Sequence, residues 1–215
     1  MRLFSYLQKT LSEFADRHSG ASWAFASGKK DIHVIKNWPN RTSKNSTSDK
    51  VSSNIAYRAG EIDSWGYMIK PDDPNLVTLE WIKLLLEPQT DVNDYHKNFN
   101  VSDSAQQLAK MRKTPATAVA DYLGQLWPFV KAQIEKNVGG GDLEDTHIVH
   151  IVLTCPAIWS DKAKNRTLNA AYLAGMPKTR TALVTEPEAA ALAVFHEDSD
   201  RNLLKVSALP NPPRH

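Results

Sequence analysis

The chain has 215 residues, 41% of them hydrophobic and 23% charged, with a net charge of +2 at neutral pH. These proportions fit one α/β domain, or one large and one small lobe, and imply no strongly charged partner; the basic residues are scattered and no nucleic-acid-binding motif is present. A single cysteine, Cys155, excludes an internal disulfide and a cysteine-based zinc site, and no stretch approaches the roughly 20 apolar residues of a membrane span.

Leu3, Phe4, Leu7, Leu11 and Phe14 fall on one helical stripe, which Ser19 and Gly20 end. Glu13 and Asp16 interrupt the apolar run, so the segment is not read as a signal peptide and a cytoplasmic location is expected. A hairpin follows: Ser22 to Phe25 as one strand, Gly28-Lys29-Lys30 as its turn, Ile32 to Ile35 as the return strand. Asn40 to Lys50 is polar and loop-like. Two short strands are expected near Asn54 to Tyr57 and Ser64 to Ile69. Thr78 to Glu87 predicts a short helix with a mostly apolar face, and Thr114 to Val138 a longer one that Pro128 should kink. Gly139-Gly140-Gly141 ends it. His147 to Thr154 reads as a buried strand. A helix capped by Ser160 follows, with Gly175 near its end. Ala182-Leu183-Val184 suits another strand. The alanines after Pro187 predict a last helix, over 187–197, with the proline in its first turn. Strands first, then helices, then strand-helix-strand-helix argue for a mixed sheet with flanking helices.

The triple glycine is no phosphate-binding loop: no Lys-Ser/Thr follows, and it precedes a strand. His147 and His150, three apart on a strand, point to opposite faces and do not share a metal. Cys155 follows a buried strand and reads as a packed core thiol. Lys83 is nearly surrounded by Leu79, Ile82, Leu84, Leu85 and Leu86; its amine either snorkels to water or points into a cleft to meet phosphate. Glu186, between a strand and a helix, is either a capping carboxylate or an active one.

Four segments together resemble the nucleotide-binding domain of the seventy-kilodalton heat-shock chaperone family, in its divergent actin-like branch. "VLTCPAIWSDKAKNRTLNAAYLAGM" is similar to the family's strand, Val-Pro-Ala turn and helix. "LVTEPEAAALAVF" resembles its Asn-Glu-Pro-x-Ala-Ala-Ala segment. "LEWIKLLL" resembles the short helix with its lysine, and "SGASWAF" the strand after its first phosphate loop. The resemblance implies one lobe of an actin-like, ribonuclease-H-like ATPase fold. Its cofactors would be ATP and Mg²⁺, its partners client or co-chaperone proteins. By the same resemblance Lys83 and Glu186 are catalytic, Glu13, Ser19 and Gly20 lie at the cofactor, and Pro156 and Lys164 form a relay. Lys164 stands for an arginine and keeps its charge without the forked geometry. A core subdomain is expected from 1–39 and 138–197, a smaller inserted one from 40–137, and an irregular tail from 198–215.

The pattern departs in the first phosphate loop. Where the family has Asp-Phe-Gly-Thr-Thr-Tyr-Ser-Gly, this chain has Glu13-Phe14-Ala15-Asp16-Arg17-His18-Ser19-Gly20. The turn glycine is lost and an aspartate faces the phosphate position. The residues before it read as helix where the family has a strand, so the sheet is expected to lack its first strand. The second phosphate loop and second lobe are absent from the sequence. Three functions therefore stay open: an ATP-binding, ATP-hydrolysing chaperone-like domain; a non-catalytic truncated remnant or interaction module that binds no nucleotide; or an unrelated small α/β enzyme.

Overall fold

The computed structural model describes residues 2–6, 18–26, 31–40, 49–87 and 101–192. In chain order its elements are β1 (Arg2–Tyr6), β2 (His18–Gly20), β3 (Ser22–Phe25), β4 (His33–Val34), β5 (Lys50–Ser52), β6 (Ile55–Arg58), β7 (Glu61–Trp65) and β8 (Val77–Leu79). There follow α1 (Val101–Lys110), α2 (Pro115–Asn137), α3 (Leu143–Thr146), β9 (Ile148–Cys155), α4 (Asp161–Leu173) and β10 (Thr181–Thr185). A last helix, α5, is described over 186–192.

The main sheet has the order β10-β9-β1-β3-β4. β1 runs parallel to β9 and antiparallel to β3, β9 runs parallel to β10, and β4 is antiparallel to β3. This overturns the expected helix at the N-terminus for residues 2–6, and with it the expected loss of the first strand. Two partner strands fill the hydrogen bonds of β1 on both sides, and such tertiary pairing overrides an apolar spacing that also suits a helix. Residues 7–17, with the rest of that stripe and Glu13, lie outside the described residues, as do the turn at 28–30, most of the 40–50 loop and the 198–215 tail.

β9 shows why period two governs here. Val149, Ile151, Leu153 and Cys155 are buried, while the residues between them are not. One face carries the core and the other is half open. The crossovers that join β9 to β10 is α4, whose Ala163, Thr167, Ala170 and Ala171 are buried. Small residues let α4 lie close to α2: a Cβ on Gly124 would stand 4.0 Å from Ala174 Cα. The end of α4 is a Schellman motif, with Met176 N–H bonded to Ala171 O and Gly175 N–H to Tyr172 O, and Gly175 at φ 88°.

Two smaller sheets complete the strands: β2 with β5, and β7-β6-β8. β6 and β7 are joined through Ala59 and Gly60, both at positive φ (53° and 88°), the backbone a two-residue hairpin demands. The expected strand from Ser64 to Ile69 is corrected: it ends at Trp65, and Gly66–Met68 is a 3₁₀ turn. The expected helix from Thr78 to Glu87 is also corrected. Val77–Leu79 is strand, paired with β6, and only Leu84–Leu86 is helical, as one 3₁₀ turn. Trp81 separates them at φ 57°. α2 runs through Pro128, and Pro115 occupies its first turn behind the N-cap Thr114. α1 carries Val101, Ala105 and Leu108 at helical spacing, a signal too short to mark the helix from sequence.

Candidate functional site

β9 and β10 end side by side, with Thr185 opposite Cys155. In α/β sheets the crevice outside such carboxyl ends is where ligands bind. Each strand passes directly into a turn that opens a helix. After β9 come Pro156 to Trp159 and then Ser160, whose hydroxyl accepts from Ala163 N–H at 3.2 Å as the N-cap of α4. After β10, Thr185 and Glu188 form a capping box. The Glu188 carboxylate accepts from the backbone N–H and the hydroxyl of Thr185, both at 2.8 Å, and Glu188 N–H returns to Thr185 Oγ1. These contacts, chiefly the Thr185 N–H, hold the Glu188 carboxyl below its ordinary range. The Thr-Glu-Pro-Glu order was there to be read as Ser/Thr-x-x-Glu. It answers the capping question: Glu188 completes the cap, which leaves Glu186, in the first turn of α5, for another contact.

That contact is Lys83. Its Nζ donates to Glu186 Oε1 at 3.0 Å, and the two side chains are 21% and 16% exposed. The same amine stands 5.4 Å from the centroid of Trp159, over its ring. Lys83 is presented by an unusual stretch of backbone. Positive φ is costly for a bulky residue such as Trp81 and is held only where the surroundings enforce it. Here they do: Trp81 is buried, and Ser104 of α1 accepts from Glu80 N–H and donates to Glu80 O (3.1 and 2.9 Å). The chain then turns, Leu84 N–H bonding to Trp81 O and Leu86 N–H to Lys83 O. Ile82, Leu84, Leu85 and Leu86 go into the core, and Lys83 points the other way, toward the strand ends.

Three further bonds fasten this turn to α4. The Glu87 carboxylate accepts from Ser160 N–H and from Ser160 Oγ, both at 2.8 Å, and Arg166 donates to Leu86 O at 2.9 Å. Cys155 is buried within electrostatic reach of the pair. Burial pushes its thiol above the ordinary range, Lys83 and Lys164 pull it back, and Glu186 and Glu188 add to the rise. It is a packed thiol, as the sequence suggested, but one that feels the charges of the site.

Of the residues the sequence singled out, Lys83 and Glu186 meet. Pro156 lies in the turn after β9, where its carbonyl accepts from Trp159 N–H at 3.3 Å. Lys164 is one turn into α4, 3.7 Å from Asp161 Oδ1 and within electrostatic reach of Cys155 and Glu188. Ser19 and Gly20 stand in β2, in a different sheet; Ser19 Oγ is 2.8 Å from Ser53 Oγ. Glu13 lies outside the described residues. Among the described residues, no group of three or more His, Cys, Asp or Glu could hold a metal, and no helix is long and apolar enough to cross a membrane. What the geometry offers is one cation and one carboxylate, mutually oriented at the mouth of a parallel strand pair. Such a pair can orient water, meet an anion and face a hydrated cation.

No family profile matches the chain. It is 26% identical over 200 residues to heat shock 70 kDa protein 12A of Homo sapiens, covering 87% of this chain and 28% of that protein. It is 28% identical over 159 residues to a chaperone protein HscA homolog of Histophilus somni (strain 2336), covering 71% of this chain and 23% of that one. A further HscA homolog, from Actinobacillus pleuropneumoniae serotype 5b, is 30% identical over 125 residues, 57% of this chain. The chain thus spans about a quarter of the length of the curated relatives it matches.

Proposed function

From a chain that is a divergent, partial domain similar to the heat-shock 70 kDa proteins, we propose a chaperone-like nucleotide-binding lobe whose site is the Lys83–Glu186 crevice. The observation that carries this reading is the 3.0 Å contact between two side chains 103 positions apart at the carboxyl ends of parallel strands. The strand order β10-β9-β1-β3-β4, with only β3 antiparallel to its central neighbour β1, supports an actin-like, ribonuclease-H-like lobe. The five-stranded sheet with α4 and α5 would be its core subdomain, and 40–137 the inserted one.

Lys83 would bear on the terminal phosphate of ATP and Glu186 on water bound to Mg²⁺. The donor set fits in kind: an ammonium for phosphate, and a carboxylate that accepts hydrogen bonds from the waters of a hydrated magnesium ion. The metal would supply charge neutralisation, and the chain's own contribution would be positioning. Ser19 and Gly20 would approach the cofactor from β2, and Pro156 and Lys164 would relay its state through α4. Client or co-chaperone proteins would be its partners, and the compartment cytoplasmic.

A second reading has its own support. Lys83 and Glu186 already satisfy each other, and Ala15, Asp16 and Arg17 replace the glycine and threonines of a phosphate loop. On that reading the lobe is an interaction module that binds no nucleotide. Calorimetric titration of the whole chain with Mg-ATP separates the two. The first expects saturable heat at or below millimolar nucleotide that Lys83→Ala weakens about tenfold or more. Absence of heat at millimolar nucleotide rejects it.

A further inference from the structure

In a capping box, a Glu or Gln at the third helical position reaches back to the N–H of the cap residue. α5 follows this rule with Thr185 and Glu188. α4 cannot: its cap is Ser160, and the third helical position is Ala163, which has no acceptor to offer. The missing acceptor comes from 73 residues earlier in the chain. Glu87 Oε2 takes the Ser160 N–H and Oε1 takes the Ser160 hydroxyl, while that hydroxyl still caps Ala163 N–H. The box is completed in trans. The carboxylate also sits at the positive end of the α4 dipole.

This carboxylate belongs to the C-cap residue of the 3₁₀ turn whose N-cap is Lys83. The residue before it, Leu86, gives its carbonyl to Arg166, on the same helix. Two adjacent residues of the turn are therefore bonded to two residues of α4, and the indole beneath the Lys83 amine, Trp159, is next to Ser160. Lys83 is far along a flexible side chain, so its meeting with Glu186 depends on where the turn is held. We infer that Glu87 is a positioning residue: it locks the Lys83 turn to the cap of α4 and so sets the Lys83–Glu186 contact. That this contact matters for nucleotide rests on the reading above; the lock itself does not.

The test therefore uses no nucleotide. The whole chain is labelled with trace isotopic acetic anhydride, and the rate at each lysine is read by mass spectrometry. Glu87→Ala removes both bonds to Ser160 and should raise the Lys83 rate about threefold or more. Glu87→Gln, whose amide oxygen still accepts the Ser160 N–H, should return it toward wild type. Ser160→Asp keeps α4 capped but sets a carboxylate against Glu87, and should raise the rate as Glu87→Ala does. Lys113 is 22% exposed and paired with Asp121, so it serves as the internal control and should not change. An unchanged Lys83 rate in both Glu87→Ala and Ser160→Asp overturns the inference. So does a rise shared equally by Lys113, or one that Glu87→Gln fails to reverse. A lock that passes while Mg-ATP gives no heat leaves the positioning role standing and removes only the nucleotide reading.

Discussion

Buried hydroxyls set how this molecule should respond to alkali. Burial pushes Tyr122 up to about 12, against an ordinary 10.0, and hydrogen bonds from Ser19 and Ser53 only moderate the rise. Tyr57 is displaced further in the same direction, by burial first and then by Asp121, to which its hydroxyl donates at 2.8 Å. A phenol whose folded value is raised holds its proton after the unfolded chain has given its own up. The stability it contributes is complete below about pH 10 and is lost as pH rises toward about 12. The urea midpoint should fall across that window, and Tyr122→Phe should flatten the fall. A midpoint independent of pH there would contradict the burial of these rings. At this scale the sequence was partly legible. Lys83 stood out because an amine among five apolar neighbours needs an exit, and Glu186 because it sits at a strand-to-helix junction. Glu87, Trp159 and Trp81 carried no local signal, since their roles arise from contacts with residues far along the chain.

Among the elements, two glycines separate backbone strain from packing. Gly66 (φ 57°) and Gly175 (φ 88°) both use positive φ, but a Cβ on Gly175 would meet nothing within 4 Å, whereas one on Gly66 would stand 2.6 Å from Val51 Cγ2. Gly175→Ala should cost about 1 kcal/mol, the conformational penalty alone. Gly66→Ala should cost about 3 kcal/mol, since the fully buried Val51 must shift to admit the methyl. Equal losses in urea denaturation would mean that Val51 leaves room for a methyl group at Gly66. Elements were legible where local chemistry and tertiary partners agree. Ser160, Gly175 and Pro187 mark helix ends through hydrogen bonds and φ preferences that a neighbourhood of four residues decides. Two of the corrected elements have the opposite cause. Residues 2–6 have a spacing compatible with a helix but are claimed by β3 and β9. Thr78 to Glu87 has helical composition, yet Leu79 is claimed by Ile55 and Trp81 turns left-handed.

The whole molecule buries every one of its six tryptophans, none more than 5% exposed. Trp23 is on the main sheet, Trp38 and Trp65 are around Phe129 of α2, Trp127 is in α2 itself, and Trp81 and Trp159 are beside the Lys83 turn. Native emission should therefore be blue-shifted and resist iodide, and quenching should appear only with unfolding. Native emission that iodide quenches readily would mean that these parts do not pack as one body. The strand order has a further outcome, for biosynthesis. β1 lies at the middle of the main sheet, with Arg2 opposite Ile148. On a ribosome it would emerge well before β9 and could pair first with β3, but its other edge must wait until β9 has left the exit tunnel. Until then a half-satisfied strand stands open to any nascent neighbour, an interval in which this chain would itself be a client for a chaperone.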